Sequence, residues 1–315
     1  MVSPHTTRSR MVLEMASELA GFRDWPYPQA RISLREPGAD SWKVCLFGSD
    51  TPGAIQEVAR GEVHVAIINP SAPLALAYRG TGPFKEPIPL RAIAVIPSAD
   101  QFVLAVTEKT GLKSLAAIPD RHFPLRVSLR GGRGDHSVHF VLDQLLAQLG
   151  FSLDDIRTWG GQVRYDKGLP NADNRLGAVR RGEVDAIFDE AINVWGNPAL
   201  ECGMRFLSLE DSLLKRLEAM GLRRAVVSKA RYPKLPEDVA TLDFSGWAVY
   251  THANVPDAII TPVCAALEAR RDRIPWEEEG PLPLERMCRD TPEGPLDIPL
   301  HPAAERFWRE HGYLG

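Results

Sequence analysis

Residues 128–150, SLRGGRGDHSVHFVLDQLLAQLG, combine residue types and spacing that suit the binding of an anion. An alternating apolar run enters a loop in which three glycines lie beside two arginines: Arg130, Gly131, Gly132, Arg133 and Gly134. Glycines let backbone N–H groups converge, and the start of the following helix adds partial positive charge. Because an arginine can bind a carboxylate through two hydrogen bonds, the loop predicts a carboxylate or phosphate site. It lacks the Lys-Ser/Thr ending of a P-loop, which argues against nucleotide binding.

The same loop also has a purely structural interpretation. The arginines would then be solvated, and Asp135 or Ser137 would cap the helix instead of helping to bind a ligand. His136 and His139 are three residues apart, as two metal ligands can be, but no third ligand accompanies them in the sequence. We therefore predict neither a metal nor a cofactor. Ser137 remains a candidate ligand contact, and His136 a candidate catalytic residue if the protein is an enzyme.

Residues 187–197, IFDEAINVWGN, carry a pair of carboxylates at the end of an apolar strand. Asp189 and Glu190 could pair with Arg130 and Arg133 and hold an empty site together. They could also bind an ammonium group, or transfer protons if their pKa values are raised. A helix cap or a solvated pair is the structural alternative.

Five further side chains are candidates for the wall of a ligand pocket. Asn69 and Ser71 follow a buried strand and offer an amide and a hydroxyl, with an ordinary loop or a helix cap as the alternative. Tyr165, Trp195 and Trp247 offer aromatic surfaces, and each of them could instead fill the core.

Composition limits the class of protein. The chain has 315 residues, with 37 Lys and Arg against 41 Asp and Glu and a net charge of −4, which favours neither nucleic acid nor an anionic membrane as partner. The four cysteines are scattered, which predicts free thiols. No apolar run is long enough to predict a membrane span. The first 21 residues lack the apolar core of a signal peptide, so the sequence predicts a cytoplasmic protein, or a periplasmic one if a leader was removed.

Strand patterns alternate with helix patterns of 10–15 residues, which predicts an α/β fold with parallel sheets. The stretches EVARGEVHVAIINPS and RRGEVDAIFDEA share a helix end, the letters RGEV and an apolar strand. This similarity indicates either two α/β units of similar design or a common type of turn. The length of the chain favours two domains.

Four stretches resemble a known family: EVARGEVHVAIINPSAPLALAYRG, RVSLRGGRGDHSVHFVLDQLLAQLG, RRGEVDAIFDEA and, most specifically, IPLHPAAERFWREHGYLG. From about residue 45 to 315 the chain resembles solute-binding proteins of the TAXI branch of TRAP transporters. The family's signal peptide and its first glycine-rich strand-loop are not recognisable in this sequence. Arg130, Arg133, Asp135 and His136 stand where family members usually have small residues.

The resemblance implies a two-lobed, periplasmic-binding-protein-like α/β fold with a ligand cleft between the lobes. Lobe one would comprise residues 1–106 and 246–315, and lobe two residues 107–245, with hinges near 105–108 and 243–248. The implied function is binding of a small carboxylated organic solute, with a membrane permease as partner only if the protein is exported. The alternative is a cytoplasmic enzyme on the same scaffold, such as a decarboxylase, hydratase or isomerase, with Asp189, Glu190 and His136 as catalytic residues. The sequence does not indicate an oligomeric state.

Overall fold

The computed structural model describes residues 4–20, 29–36, 38–40, 43–49, 52–134 and 136–315. Asp135 lies outside them. The strands are β1 Gln29–Leu34, β2 Val44–Ser49, β3 Val65–Ile68, β4 Leu90–Ile96, β5 Gln101–Thr107, β6 Arg126–Arg130, β7 Gln162–Asp166, β8 Ala186–Asp189, β9 Met204–Phe206, β10 Arg224–Val227, β11 Val239–Asp243 and β12 Trp247–His252.

The helices are α1 Pro4–Ala20, α2 Gly53–Ala59, α3 Ala72–Arg79, α4 Ala117–Asp120, α5 Ser137–Ala147, α6 Leu153–Thr158, α7 Ala178–Arg180, α8 Ile192–Glu201, α9 Asp211–Met220, α10 Asp257–Ala269, α11 Leu284–Met287 and α12 Pro302–Glu310. Short helical turns cover Glu108–Thr110 and Asp173–Gly177. Among the described residues, none of the helices has the length and apolar character needed to span a membrane.

The strands form two sheets, which confirms the predicted α/β fold with two halves. The first sheet has the order β1-β2-β3-β12-β4, and the second has the order β10-β11-β5-β8-β6-β7, with β9 also paired to β5. The pairs β2–β3, β6–β7 and β6–β8 are parallel and the other pairs are antiparallel. The expectation of purely parallel sheets was therefore wrong, because β5 and β12 each return against the direction of their neighbours.

The chain crosses between the sheets twice. It leaves the first sheet after Ile96, joins the second at Gln101, and returns between Asp243 and Trp247. The two crossing segments lie side by side: Phe244 N–H donates to the Asp100 carbonyl (3.0 Å), and the Ser245 hydroxyl donates to the same oxygen (3.2 Å). Since β5 belongs to the second sheet, the first crossing precedes residue 106, the limit expected for lobe one.

The two RGEV stretches have equivalent places in the two sheets. β3 follows the first stretch and lies between a parallel neighbour, β2, and an antiparallel one, β12. β8 follows the second and lies between parallel β6 and antiparallel β5. The turns that follow β3 and β8 therefore occupy corresponding positions, and these turns carry Asn69 and Glu190.

The C-terminal segment is anchored to the first sheet. His301 accepts a hydrogen bond from Ala303 N–H (3.2 Å) at the start of α12, and the Trp308 indole donates to the Ile93 carbonyl (2.8 Å) on β4. Both side chains are buried. The cysteines are free as predicted: Cys202 is half-buried and the other three are buried.

The two halves share an apolar interface through α3. Ala72 and Leu76 belong to the same buried cluster as Leu142 and Leu217 of α5 and α9 in the second half. At the end of this contact the Thr81 hydroxyl donates to the Met220 carbonyl (2.6 Å). Burial of apolar side chains from both halves favours the observed arrangement over separated lobes.

A polar bridge centred on Asp297 also joins the halves. Its carboxylate accepts a hydrogen bond from the Ser71 hydroxyl (2.7 Å) and pairs with Arg223 Nε (2.5 Å), which precedes β10 in the second half. The Asp297 side chain is only 6% exposed. Arg223 also pairs with the exposed Asp290 at 2.9 Å. The hydroxyl of Ser71, a predicted ligand contact, is thus bound by this bridge.

Replacing Asp297 by alanine is expected to lower the free energy of unfolding by about 1–3 kcal/mol, because Ser71 and part-buried Arg223 lose a buried acceptor. Urea unfolding of the variant and the parent measures the change. D290N is the matched control: it removes a solvent-exposed partner of the same arginine and should cost less. Equal losses in the two variants would contradict the assignment of the bridge to Asp297.

Candidate functional site

A buried group of charges lies where β6 and β8 end in the second half. Arg130 is the last residue of β6, and its Nη2 lies 2.9 Å from Asp189 Oδ1 at the end of β8. A second guanidinium nitrogen pairs with Glu190. Asp189 is fully buried, and the Arg130 side chain is 15% exposed. The two predicted carboxylates therefore pair with one of the two predicted arginines.

Arg175, which was not predicted as a site residue, completes the group. Its side chain is fully buried, and Nη1 lies 2.5 Å from Asp189 Oδ2. Nε donates to the Ser128 hydroxyl (3.1 Å), which in turn donates to Asp166 (2.8 Å). Desolvation lowers the pKa of Arg175, and the charge of Asp189 opposes that effect. One buried carboxylate thus compensates two buried guanidinium groups in part, and Arg175 also donates to the carbonyl oxygens of Gly168 (3.2 Å) and Ser128 (3.5 Å).

Asp100, in the first crossing segment, links this group to the junction of the halves. Its carboxylate accepts hydrogen bonds from Gln101 N–H (2.8 Å), Ala191 N–H (2.6 Å) and Ile192 N–H (3.2 Å). Ala191 is held at φ 58°, a backbone conformation that is costly for a residue with a side chain. Asp100 stabilises that turn directly, by binding the N–H of Ala191.

Asp100 and Glu190 form a carboxyl–carboxylate hydrogen bond. Burial raises the pKa of both groups, and that of Glu190 is raised well above its ordinary value despite the nearby charge of Arg130. Asp100 already accepts three backbone N–H bonds, which favour its ionised form. These bonds limit the rise in the pKa of Asp100, whereas the hydrogen bond to Asp100 raises the pKa of Glu190.

The glycine-rich loop uses much of its own hydrogen-bonding capacity. Gly131 N–H donates to the Asp166 carbonyl (2.9 Å), and Gly134 N–H donates to His139 Nδ1 (2.9 Å). Both glycines have positive φ, 64° and 82°, which the turn requires. Gly132 is half-buried, and Ser137 is buried as the first residue of α5. Two of the amides expected to converge on an anion are therefore engaged within the loop and its helix.

Arg133 differs from Arg130 in its surroundings. Its side chain is 69% exposed, and Nη2 lies 3.3 Å from Asp154 Oδ2, itself 60% exposed. Asp154 also pairs with Arg157. An exposed ion pair of this kind contributes little stability, so its members can exchange partners.

A cavity of about 200 Å³ lies beside the loop and between the halves. Pro52, at the start of α2, contributes from the first half, and the second half contributes residues of the loop, of α5 and of β7. The lining residues with polar groups or aromatic surface are Arg133, Gly134, His139, Phe140, Asp143 and Tyr165. The rings of His139 and Tyr165 meet edge to face, with centroids 5.3 Å apart. Three predicted ligand residues, Arg133, Gly134 and Tyr165, thus share one cavity.

Two predicted residues of the first half flank the end of β3. Ile68 pairs with Ala248, so Asn69 and Trp247 are adjacent on neighbouring strands and lie on one face of the sheet. Asn69 Oδ1 and Trp247 Nε1 are buried and have no hydrogen-bond partner among the residues that the structure describes. Neither side chain lines the 200 Å³ cavity.

Trp195 and His136 have structural contacts. Trp195 is fully buried in the core of the second half, and its indole donates to the Glu190 carbonyl (2.8 Å), so it fills the core. His136 caps α5 by accepting a hydrogen bond from Val138 N–H (3.2 Å). Burial lowers the pKa of His136 to about 4, and the charge of Arg130 acts in the same direction. The ring is therefore neutral at physiological pH.

A family model described as the NMT1-like family matches residues 49–312. The chain belongs to the NMT1-like family. The match includes every predicted site residue, from Asn69 to Trp247. None of the curated proteins compared with this chain matches it.

Solved structures with partial similarity include a periplasmic sulfonate-binding protein of an ABC transporter from Methylobacillus flagellatus KT: 14% identity, 70% of this chain and 54% of that chain covered, TM-score 0.33. A glycine betaine/L-proline-binding protein from Borrelia burgdorferi has 10% identity, coverage of 65% and 62%, and a TM-score of 0.37. An alkanesulfonate-binding protein from Xanthomonas axonopodis pv. citri, bound to MOPS, has 16% identity, coverage of 70% and 80%, and a TM-score of 0.28.

These TM-scores are too low to bear on the ligand, and the chain spans only 54% and 62% of the first two of those proteins. The two sheets joined by two adjacent crossings confirm the α/β architecture predicted from the sequence. In the described part of the chain, no three His, Cys, Asp or Glu side chains are arranged to hold a metal ion.

The three residues proposed for catalysis are all engaged within the protein. Asp189 and Glu190 pair with Arg130, and the imidazole of His136 caps α5. None of the three lines the cavity beside Arg133. The enzymatic function stays a prediction, and the geometry gives more support to binding.

Replacing Asp189 by asparagine is expected to lower the free energy of unfolding by about 3–5 kcal/mol, because Arg130 and the fully buried Arg175 lose their common counter-charge. Urea unfolding measures the loss. D154N is the control, since it removes an equivalent charge from exposed pairs and should leave stability nearly unchanged. A D189N protein as stable as D154N would contradict a central role for this carboxylate.

The raised pKa of Glu190 predicts a dependence of stability on pH. Its contribution is fully present below the ordinary value of 4.5, and it is lost as pH rises through the raised pKa of the folded protein. Urea unfolding at several pH values from 5 to 9 should therefore show a steeper decline for the parent than for E190Q, which keeps a neutral hydrogen-bond donor. Parallel profiles for the two proteins would show that Glu190 is ionised throughout.

Proposed function

We propose that this protein binds a small carboxylated organic solute between its two halves, in the cavity beside Arg133. The observation that carries the proposal is the position of Arg133. It is the arginine of the glycine-rich loop that lines the cavity, and Asp154, with which it pairs, is exposed. A guanidinium in that position can form a bidentate, charge-assisted pair with a carboxylate.

Arg130 is less suited to the same role. Its guanidinium pairs with the buried carboxylate of Asp189 and contacts the buried Glu190 side chain. A ligand would have to displace a buried ion pair and leave a carboxylate without its partner, which costs several kcal/mol. Exchange of the exposed Arg133–Asp154 pair costs far less. Arg130 therefore stabilises the floor of the site, while Arg133 contacts the ligand.

The other walls favour a small organic ligand over an inorganic anion. Phe140, Leu153 and Tyr165 provide apolar or aromatic surface within the same cavity. A volume of about 200 Å³ suits a ligand of modest size. An acid with a compact apolar or aromatic body would bury that body here while its carboxylate pairs with Arg133.

The resemblance of four stretches to TAXI solute-binding proteins supports a role as the receptor of a TRAP transporter. In that role the protein acts outside the cytoplasm and delivers its solute to a membrane permease. The lobes are then the two sheets with their helices, divided at the two crossings near 97–100 and 244–246. Membership of the NMT1-like family and the two-sheet architecture are consistent with this role.

Native mass spectrometry of freshly purified protein, followed by denatured extraction, identifies any copurified acid. A calorimetric titration series with acetate, benzoate, phenylacetate, succinate and phthalate then tests the site directly. For whichever acid binds, R133Q should weaken the affinity at least about tenfold, because a charged bidentate contact is lost.

R271Q serves as the matched control. Arg271 is an exposed arginine that follows α10 and does not line the cavity, so this variant should bind like the parent. Equal affinities for R133Q and the parent would place the ligand elsewhere. A bound acid that is converted to a product would support the enzymatic alternative.

A further inference from the structure

The helix α5 presents two distinct faces. Val138, Val141, Leu142 and Leu145 are buried in the large apolar cluster of the second half. His139, Phe140 and Asp143 instead line the cavity beside Arg133. Residues 139 and 143 are one helical turn apart and so project on the same side. An aspartate thus accompanies Arg133 in the wall of the proposed binding cavity.

Asp143 is not neutralised by a neighbouring cation. Among the described residues it forms no ion pair, although Arg133 lies close enough for its charge to oppose a rise in the carboxyl pKa. Desolvation is the largest effect and raises the pKa of Asp143, and the charge of Asp154 adds to it. The cavity therefore presents the Arg133 guanidinium, which pairs with the exposed Asp154, and the Asp143 carboxylate, which forms no ion pair with the described residues.

These charges have opposite effects on a bound acid. A ligand carboxylate paired with Arg133 gains a charge-assisted contact. In a cavity of about 200 Å³, a second anionic group on the same small ligand would lie within a few ångströms of Asp143. Like charges at that separation repel.

We propose that Asp143 is a specificity-determining residue, which restricts the site to monocarboxylates with an apolar body and rejects dicarboxylates. This inference rests on the proposed function. Phe140, Leu153 and Tyr165 accept the apolar body, Arg133 binds the carboxylate, and Asp143 excludes a second negative charge. Specificity is then obtained by repulsion of the wrong ligand as well as by attraction of the right one.

The test compares benzoate with phthalate, which differ by one carboxylate on the same ring. Calorimetric titration of the parent should show tighter binding of benzoate. D143N should reduce that preference about five- to tenfold, chiefly by improving the affinity for phthalate. D120N, an exposed aspartate at the end of α4 that does not line the cavity, should keep the parental preference.

Three results would overturn the inference. If the ratio of affinities is the same in D143N and the parent while both bind benzoate, Asp143 does not set specificity, and the proposed function stands. If glycine, which carries an ammonium group, binds the parent more tightly than acetate and D143N abolishes that advantage, Asp143 attracts a cation instead. If no carboxylate binds the parent, the proposed function fails as well.

Discussion

The carboxylate of Asp189 is the interaction on which the polar centre of the second half depends. It lies at the end of β8 and pairs with Arg130 from β6 and with Arg175 from the turn before α7. An isolated guanidinium in such a buried position would be costly, so this one side chain permits two of them. Arg130 then holds Glu190, and Glu190 shares a proton with Asp100 in the crossing segment. The buried charges at the ends of β6 and β8 and the junction of the halves are parts of one network.

Because of that network, the two loop arginines have different roles. Arg130 pairs with buried acidic side chains. Of the two arginines, only Arg133 lines the cavity, and its ion pair is exposed and therefore exchangeable. In the proposed function, one of the two loop arginines supports the buried charges and the other contacts the carboxylate of the ligand. The two halves are also joined by the apolar packing of α3 and by the bridge at Asp297. Any opening of the cleft must disrupt these contacts, which favours a compact resting arrangement.

The sequence was informative wherever a local pattern decides the structure. Alternating strand and helix patterns predicted the α/β fold, and the polar turn after β8 marked Asp189 and Glu190 correctly as partners of an arginine. Arg175 was not predicted, because the neighbouring residues in the sequence do not distinguish a buried arginine from a solvated one. Asp100 looked like an ordinary loop residue, since its contacts with Ala191 and Ile192 join segments about 90 residues apart. Asp143 was not predicted, because the sequence does not show that this face of α5 lines a cavity.

By itself, the sequence therefore determined the class of fold, the approximate strands and helices, and the loops that carry charge, because these depend on local periodicity and turn chemistry. Strand direction, the choice of partner for each arginine, and the residues that share the cavity were decided by tertiary structure. Arg130 and Arg133 are nearly equivalent in the sequence, but one lies over the buried Asp189 and the other faces solvent beside the cavity. That difference arises from the burial of distant carboxylates, which no local pattern encodes.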